Sequence, residues 1–261
     1  MPSHSPLVRL SVAARIGALA LCTCAPSAAA QRVAGLPFAP GERFEYIGRA
    51  HGVTARGSMR VEGPADLRGT AVWTLHSEME GKLGFIRGTD RSVSWIDPAR
   101  MSALRYSTRE RHVISKHDDE VDIFASEKRW AAKSGLEGPV ASEAPLDELS
   151  FLYYVRTLPL VEIGTTSMTR HFDAARNPTV VRVVMREDIT VGAGTFHAIV
   201  VELRVRDTRR YRGEGLIRIH LSDDACRLIL RLESTVPDAG KATLALQSFS
   251  GVRGECTAKL P

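Results

Sequence analysis

The segment PLDELSFLYYVRTLPL, Pro145 to Leu160, is the one stretch of the chain that is apolar on nearly every side. Pro145 suits a first helical turn, Asp147 and Glu148 complement the positive end of a helix, and Pro159 drives Leu158 out of helical geometry. The segment therefore predicts a helix over 146–158. Leu149, Leu152, Tyr153 and Arg156 fall on one side of it, and Phe151, Tyr154, Val155 and Leu158 on the other. A helix apolar around most of its circumference must be covered on more than one side.

Outward from that segment the chain alternates apolar and polar residues in twos, the period of half-buried strands. On the N-terminal side Pro40-Gly41 makes a turn and Phe44 and Tyr46 open a strand. Residues 57–62 return, and Gly63-Pro64 is expected to end them. Residues 71–79 place Trp73, Leu75 and Met79 on one face, and 91–96 form a short strand closed by Asp97-Pro98. A long pair follows over 101–115 and 120–130, turned by Lys116-His117-Asp118-Asp119. Beyond the helix, strands are expected over 180–186, 196–206, 215–221, 228–234 and 242–249. Gly192-Ala193-Gly194 and Ser222-Asp223-Asp224 supply turn chemistry between them. The fold class that follows is mainly β: a strongly curved antiparallel sheet or open barrel with one buried central α-helix. Inside the concave face of such a sheet, or between two sheets, a helix like this one is covered.

The first thirty residues read as an export signal. Arg9 and Arg15 lead into the apolar run 16–21 and then into Ser27-Ala28-Ala29-Ala30, with cleavage expected between Ala30 and Gln31. Leu21-Cys22 lacks the small residue that precedes a lipidated cysteine. No later stretch approaches the eighteen or so apolar residues of a membrane span, about the minimum for a helix. The expectation is a periplasmic or secreted protein with one β-rich domain over 31–261, in two strand-rich halves around the helix. The formal charge of +5 falls to +3 once Arg9 and Arg15 leave. Cys22 and Cys24 leave with them, so an oxidising compartment holds only Cys226 and Cys256. Such a pair reads as one disulfide, worth roughly 3–4 kcal/mol for a loop of this length. The other reading of the pair is two thiols too far apart to meet.

Three stretches, Phe38-Ala39-Pro40-Gly41-Glu42-x-Phe44-x-Tyr46, Leu146-Asp147-x-Leu149-Ser150-x-Leu152-Tyr153-x-Val155-Arg156 and Ile217-x-Ile219-x-Leu221-Ser222-Asp223-Asp224, occur in that order. Together they resemble an uncharacterised family of exported bacterial proteins, domain of unknown function 3108, over roughly residues 38 to 250. The resemblance implies a β-rich envelope protein, mostly of Gram-negative bacteria, and carries over no catalytic residues. Family members often have an aromatic residue and a basic pair around the Ser-Asp-Asp turn. Here His220-Leu221 precede it and Ala225-Cys226-Arg227 follow, which sets the cysteine pair outside the shared pattern.

Chemistry candidates are few. His112 with His117-Asp118-Asp119-Glu120 is the densest polar group, but residues of a strand alternate sides and a turn sprays them outward. No metal site is expected there. Ser150 lacks the Gly-x-Ser-x-Gly elbow of a nucleophile, and Asp147, one turn earlier, gives it a helix-end hydrogen-bond partner. Gly192-x-Gly194 lacks the third glycine and the lysine of nucleotide loops, so no cofactor is expected. His171, His197 and His220 are scattered singles. Arg204, Arg206, Arg209, Arg210 and Arg212 crowd one stretch, where guanidinium forks suit an anionic headgroup or, more simply, a charged edge that discourages aggregation.

The leading expectation is a non-enzymatic protein that binds an apolar or amphiphilic envelope component such as a lipid, or assists envelope assembly. Phe151, Leu152, Tyr154, Val155 and Trp73 would line its cavity. Nucleic acid is excluded by compartment. The alternatives are an interaction module with no ligand and a hydrolase recruiting His117, Asp118, His197 or His220.

Overall fold

A computed structural model describes residues 35–50, 52–83, 86–112, 116–206, 214–236, 240–253 and 256. Residues 1–30, expected to be an export signal, and Arg209, Arg210 and Arg212 lie outside them. Eight strands precede the helix: β1 (Arg43–Ala50), β2 (Val53–Leu67), β3 (Thr70–Leu83), β4 (Ile86–Asp97), β5 (Ser102–Arg111), β6 (Lys116–Phe124), β7 (Arg129–Ala132) and β8 (Glu137–Pro139). After helix α1 (Glu148–Val155) come β9 (Gly164–Met168), β10 (Thr179–Val191), β11 (Gly194–Arg206), β12 (Glu214–Ser222), β13 (Ile229–Val236) and β14 (Gly240–Ser250).

All fourteen strands form one antiparallel sheet in the order β8-β7-β6-β5-β4-β3-β2-β1-β14-β13-β12-β11-β10-β9. The first and last strands pair in its middle, from Arg43↔Ser250 to Ala50↔Ala242. Each half grows outward from that pair to its own edge, β8 or β9, and α1 bridges the two edges. The sheet is not closed into a barrel. Register shifts at Glu45/Tyr46, Glu62/Ala65, Trp95/Ile96, Val183/Met185 and His220/Leu221 add local twist and curl it. The concave face receives α1, which packs against β3 and β4.

Several expected boundaries are corrected. The helix spans 148–155 and not 146–158: Asp147 caps it, and Thr157 and Leu158 already make shorter-range bonds to the carbonyls of Tyr154 and Val155. Gly63-Pro64 does not end β2. The proline, which has no N–H to give the ladder, falls where the register shifts, and the strand runs on to Leu67. Residues 116–119, expected as a turn, are the start of β6 and pair with 108–111. Trp130 belongs to β7, separated from β6 by a short 3-10 turn at Ala125–Glu127.

The core lies between α1 and both halves of the sheet. Phe44, Leu75, Ile96, Tyr153, Val155, Ile199 and Leu221 are fully buried in one cluster. Burying each large apolar side chain of the helix contributes about 1.5–3 kcal/mol. A cation sits in this core. Arg156 donates from Nη1 to Glu42 Oε1 at 2.6 Å and from Nη2 to Glu42 Oε2 at 2.8 Å, to the Cys226 carbonyl at 3.0 Å and to the Pro37 carbonyl at 3.2 Å. Its guanidinium carbon lies 5.2–5.4 Å from the rings of Phe38, Phe44 and Tyr153. The convex face is a ladder of exposed or half-buried ion pairs, Arg60 with Glu78 and Arg105 with Asp122 among them. Each such pair is worth about 0.2–1 kcal/mol.

Candidate binding cleft

The start of α1 organises a region where apolar surface, several aromatic rings and charged side chains converge beside open space. Asp147 caps the helix: its Oδ1 accepts from the N–H of Leu149 at 2.9 Å and of Ser150 at 2.8 Å, and Ser150 Oγ accepts from the Asp147 N–H at 2.9 Å. Its Oδ2 accepts from Ser94 Oγ of β4 at 2.5 Å. Burial pushes the Asp147 carboxyl up to about 7, against the lowering effect of these donors.

The segment before the helix is pinned on both sides. Ala103 N–H of β5 donates to the Pro145 carbonyl at 2.7 Å, Leu146 N–H to Arg170 at 2.6 Å, and Phe172 N–H to Leu146 at 2.9 Å. This parallel bridge brings residues 170–176 of the second half against the helix start. His171 is buried, and its Nδ1 accepts from the Asp173 N–H at 3.0 Å, which leaves the proton on Nε2, 3.7 Å from Glu148 Oε1. Arg176 donates to the same Glu148 oxygen. Burial alone would raise the Glu148 carboxyl, but Arg176 and His171 hold it well below the usual range. Glu148 is therefore ionised.

Between this corner and the concave face of β5, β6 and β7 lies a half-open cleft of about 230 Å³. Its apolar side is Tyr106, Val121, Trp130, Leu136 and Phe172; its polar side is Thr108, His117, Asp119, Glu148 and Arg176. Trp130 and Phe172 meet edge to face with centroids 5.6 Å apart. Gly138 makes that possible, because a Cβ there would lie 2.9 Å from Trp130 Nε1.

Few of the sequence-based candidates fall here. Phe151, Val155 and Trp73 are packed in the core, with Leu152 and Tyr154 partly buried against it, and none of the five lines this cleft. Arg204 and Arg206 lie on the convex side of β11, each 3.8 Å from Glu214. Cys226 and Cys256 are disulfide-bonded. His117 lines the cleft while Asp118, its neighbour on β6, turns away to Arg111 at 2.5 Å. His197 contacts Asp188, and His220 lies 2.9 Å from Glu187 on the opposite face of the same strands. The hydrolase constellation is thus not assembled. Ser150 is used in the helix cap. Among the described residues no group of three or more His, Cys, Asp or Glu side chains has metal-binding geometry. Glu148, Trp130, His171, Phe172 and Arg176 were missed as a group, since they come from four elements; Phe172 after His171 in an otherwise polar loop was the available signal.

Fold and site together define a β-barrel-like protein: a curled, open antiparallel sheet wrapped on one helix with a cleft at its unclosed side. The family described as Protein of unknown function (DUF3108) matches residues 46–247, and the chain belongs to it. Among solved structures, the β-barrel-like protein of domain of unknown function DUF1849 from Brucella abortus shares the fold. Its TM-score is 0.53 at 11% identity, covering 82% of this chain and 98% of that one. A Bacteroides fragilis protein with a YmcC-like fold has a TM-score of 0.34 at 11% identity over 82% of this chain and 98% of its own. No curated protein sequence matches the chain. Among the described residues no helix is long and apolar enough to cross a membrane.

Proposed function

We propose that this is an exported, non-enzymatic protein that binds part of an amphiphilic envelope component in the cleft between α1 and β5–β7. The observation that carries the reading is the cleft itself, where three aromatic rings and an ionised carboxylate–guanidinium pair border one space. Ligand sites combine an apolar wall with a few fixed polar groups in this way. Size narrows the reading. Whole small molecules occupy pockets of about 300–1,000 Å³, so a space of about 230 Å³ takes a headgroup or a chain fragment. The interior of the curl is filled by α1, which argues against a lipid swallowed whole. The composition of residues 1–30 supports export.

The test is native mass spectrometry of the protein purified from a periplasmic extract. Wild type should retain one amphiphile per chain, Thr108→Trp should lose it by filling the cleft, and Val161→Asp, at an exposed site away from the cleft, should keep it. Wild type emerging without any retained molecule would overturn the reading in favour of a structural module.

A further inference from the structure

The two kinds of side chain in the cleft point to one sign of charge. Tyr106, Trp130 and Phe172 supply rings, and Asp119 and Glu148 supply carboxylates. The acidic character continues along the same face, because cross-strand register sets Asp90 beside Glu110 and Glu110 beside His117, and Ser92 beside Thr108 and Thr108 beside Asp119. Asp90 is met by the imidazole of His112 at 2.7 Å. The one arginine of the cleft, Arg176, is engaged by Glu148. The arginines of β5 point the other way: Arg105 meets Asp122 and Arg111 meets Asp118 on the convex side.

Aromatic faces carry negative quadrupole potential and attract cations, most effectively weakly hydrated ones. Glu148 already has Arg176 as its counter-charge, so Asp119, which accepts from Ser134 Oγ at 3.2 Å, is the carboxylate that a ligand would meet. A neutral alkyl group would bring no charge to it, and an anionic headgroup would face it directly. Resting on the reading of this cleft as a binding site, we infer that its ligand presents an alkylammonium group, with the amine or quaternary nitrogen between the rings and Asp119. The charge is complementary to the wall and the apolar surface of the alkyl groups to the rings. The convex arginines, already matched to carboxylates, do not enter this recognition.

Choline, 3,3-dimethylbutan-1-ol and 3,3-dimethylbutanoate share one shape and differ in charge, and isothermal titration of the purified protein with each is the test. Choline should bind about tenfold or more tightly than the alcohol, and the carboxylate should not bind. Asp119→Asn, at a half-exposed position on β6, should weaken choline by about three- to tenfold and leave the alcohol unchanged. The variant separates a charge effect from a change of shape. Equal binding of choline and alcohol, tighter binding of the carboxylate, or no saturable binding of choline would each overturn the inference. An amphiphile still retained from the periplasm, and displaced by Thr108→Trp, would then leave the cleft standing as a binding site for a different headgroup. Loss of both results would end the binding reading itself.

Discussion

Arg156 and Glu42, 114 residues apart, form a two-pronged ion pair with both side chains at 0% exposure. The arginine ends α1, the glutamate precedes β1, and a third partner, the Cys226 carbonyl, comes from the turn between β12 and β13. One side chain thus ties the helix to the start and to the last third of the chain. Desolvating two charges is costly, so such a pair is stable only while complete.

Removing either partner leaves the other buried and uncompensated. Arg156→Ala or Glu42→Ala should each lose about 3–5 kcal/mol in urea unfolding, whereas Arg156→Met combined with Glu42→Leu should lose far less than the sum. Additive losses in the double variant would contradict this account.

Asp147 predicts a pH effect of unusual sign. Its native carboxyl titrates near 7 against 3.8 when unfolded, so the native state binds the extra proton between those values. Its contribution is fully present below about pH 4 and is lost as pH rises toward 7, by about 1–4 kcal/mol in all. Asn at this position still accepts from Leu149 and Ser150 and can donate to Ser94. Asp147→Asn should therefore match wild type at pH 4 and exceed it at pH 8 in urea unfolding. A variant less stable than wild type at pH 8 would refute the sign. Glu148, next in the chain, works oppositely: held low, it stabilises above its ordinary value and is lost as the solution is acidified.

Breaking the Cys226–Cys256 link should cost roughly 3–4 kcal/mol, because it restores the freedom of a thirty-residue separation. Urea midpoints with and without reductant measure it, and Cys256→Ser should abolish the difference. Cys226 also offers the carbonyl bound by Arg156, so the loss should extend to protection of the Arg156-proximal amides in hydrogen exchange.

Gly138→Ala tests the packing of the cleft. The added methyl would press on the Trp130 indole and force it from Phe172, costing about 1–3 kcal/mol. Tryptophan fluorescence should change along with stability. An unchanged spectrum would show that β8 simply moves aside.

What was legible in the sequence was whatever repeats locally. Period-two alternation exposed most strands, and the Pro145/Pro159 bracket exposed α1, because both patterns lie within fifteen residues. The Asp147–Ser150 cap was also visible in the spacing. Strands β8 and β9 were not, being three and five residues long at sheet edges, where no apolar face must be hidden. Arg156 showed its place on the helix but not its partner, since Glu42 reaches it only through tertiary folding. The three stretches that carried the family resemblance contain or adjoin Glu42, Arg156 and Cys226, so the shared pattern marks the centre of the core rather than the cleft. The cleft was hidden for the same reason: Trp130, Glu148 and Phe172 carry no common motif.

The pairing of β1 with β14 sets a schedule for the molecule's birth. Arg43 leaves the ribosome 207 residues ahead of its neighbour Ser250, so the middle of the sheet stays open until all the strands between them have been made. Contacts this distant in sequence form slowly. Until that pairing forms, β1 and β14 each lack a neighbour, and the unfinished chain carries two open strand edges at what becomes its centre.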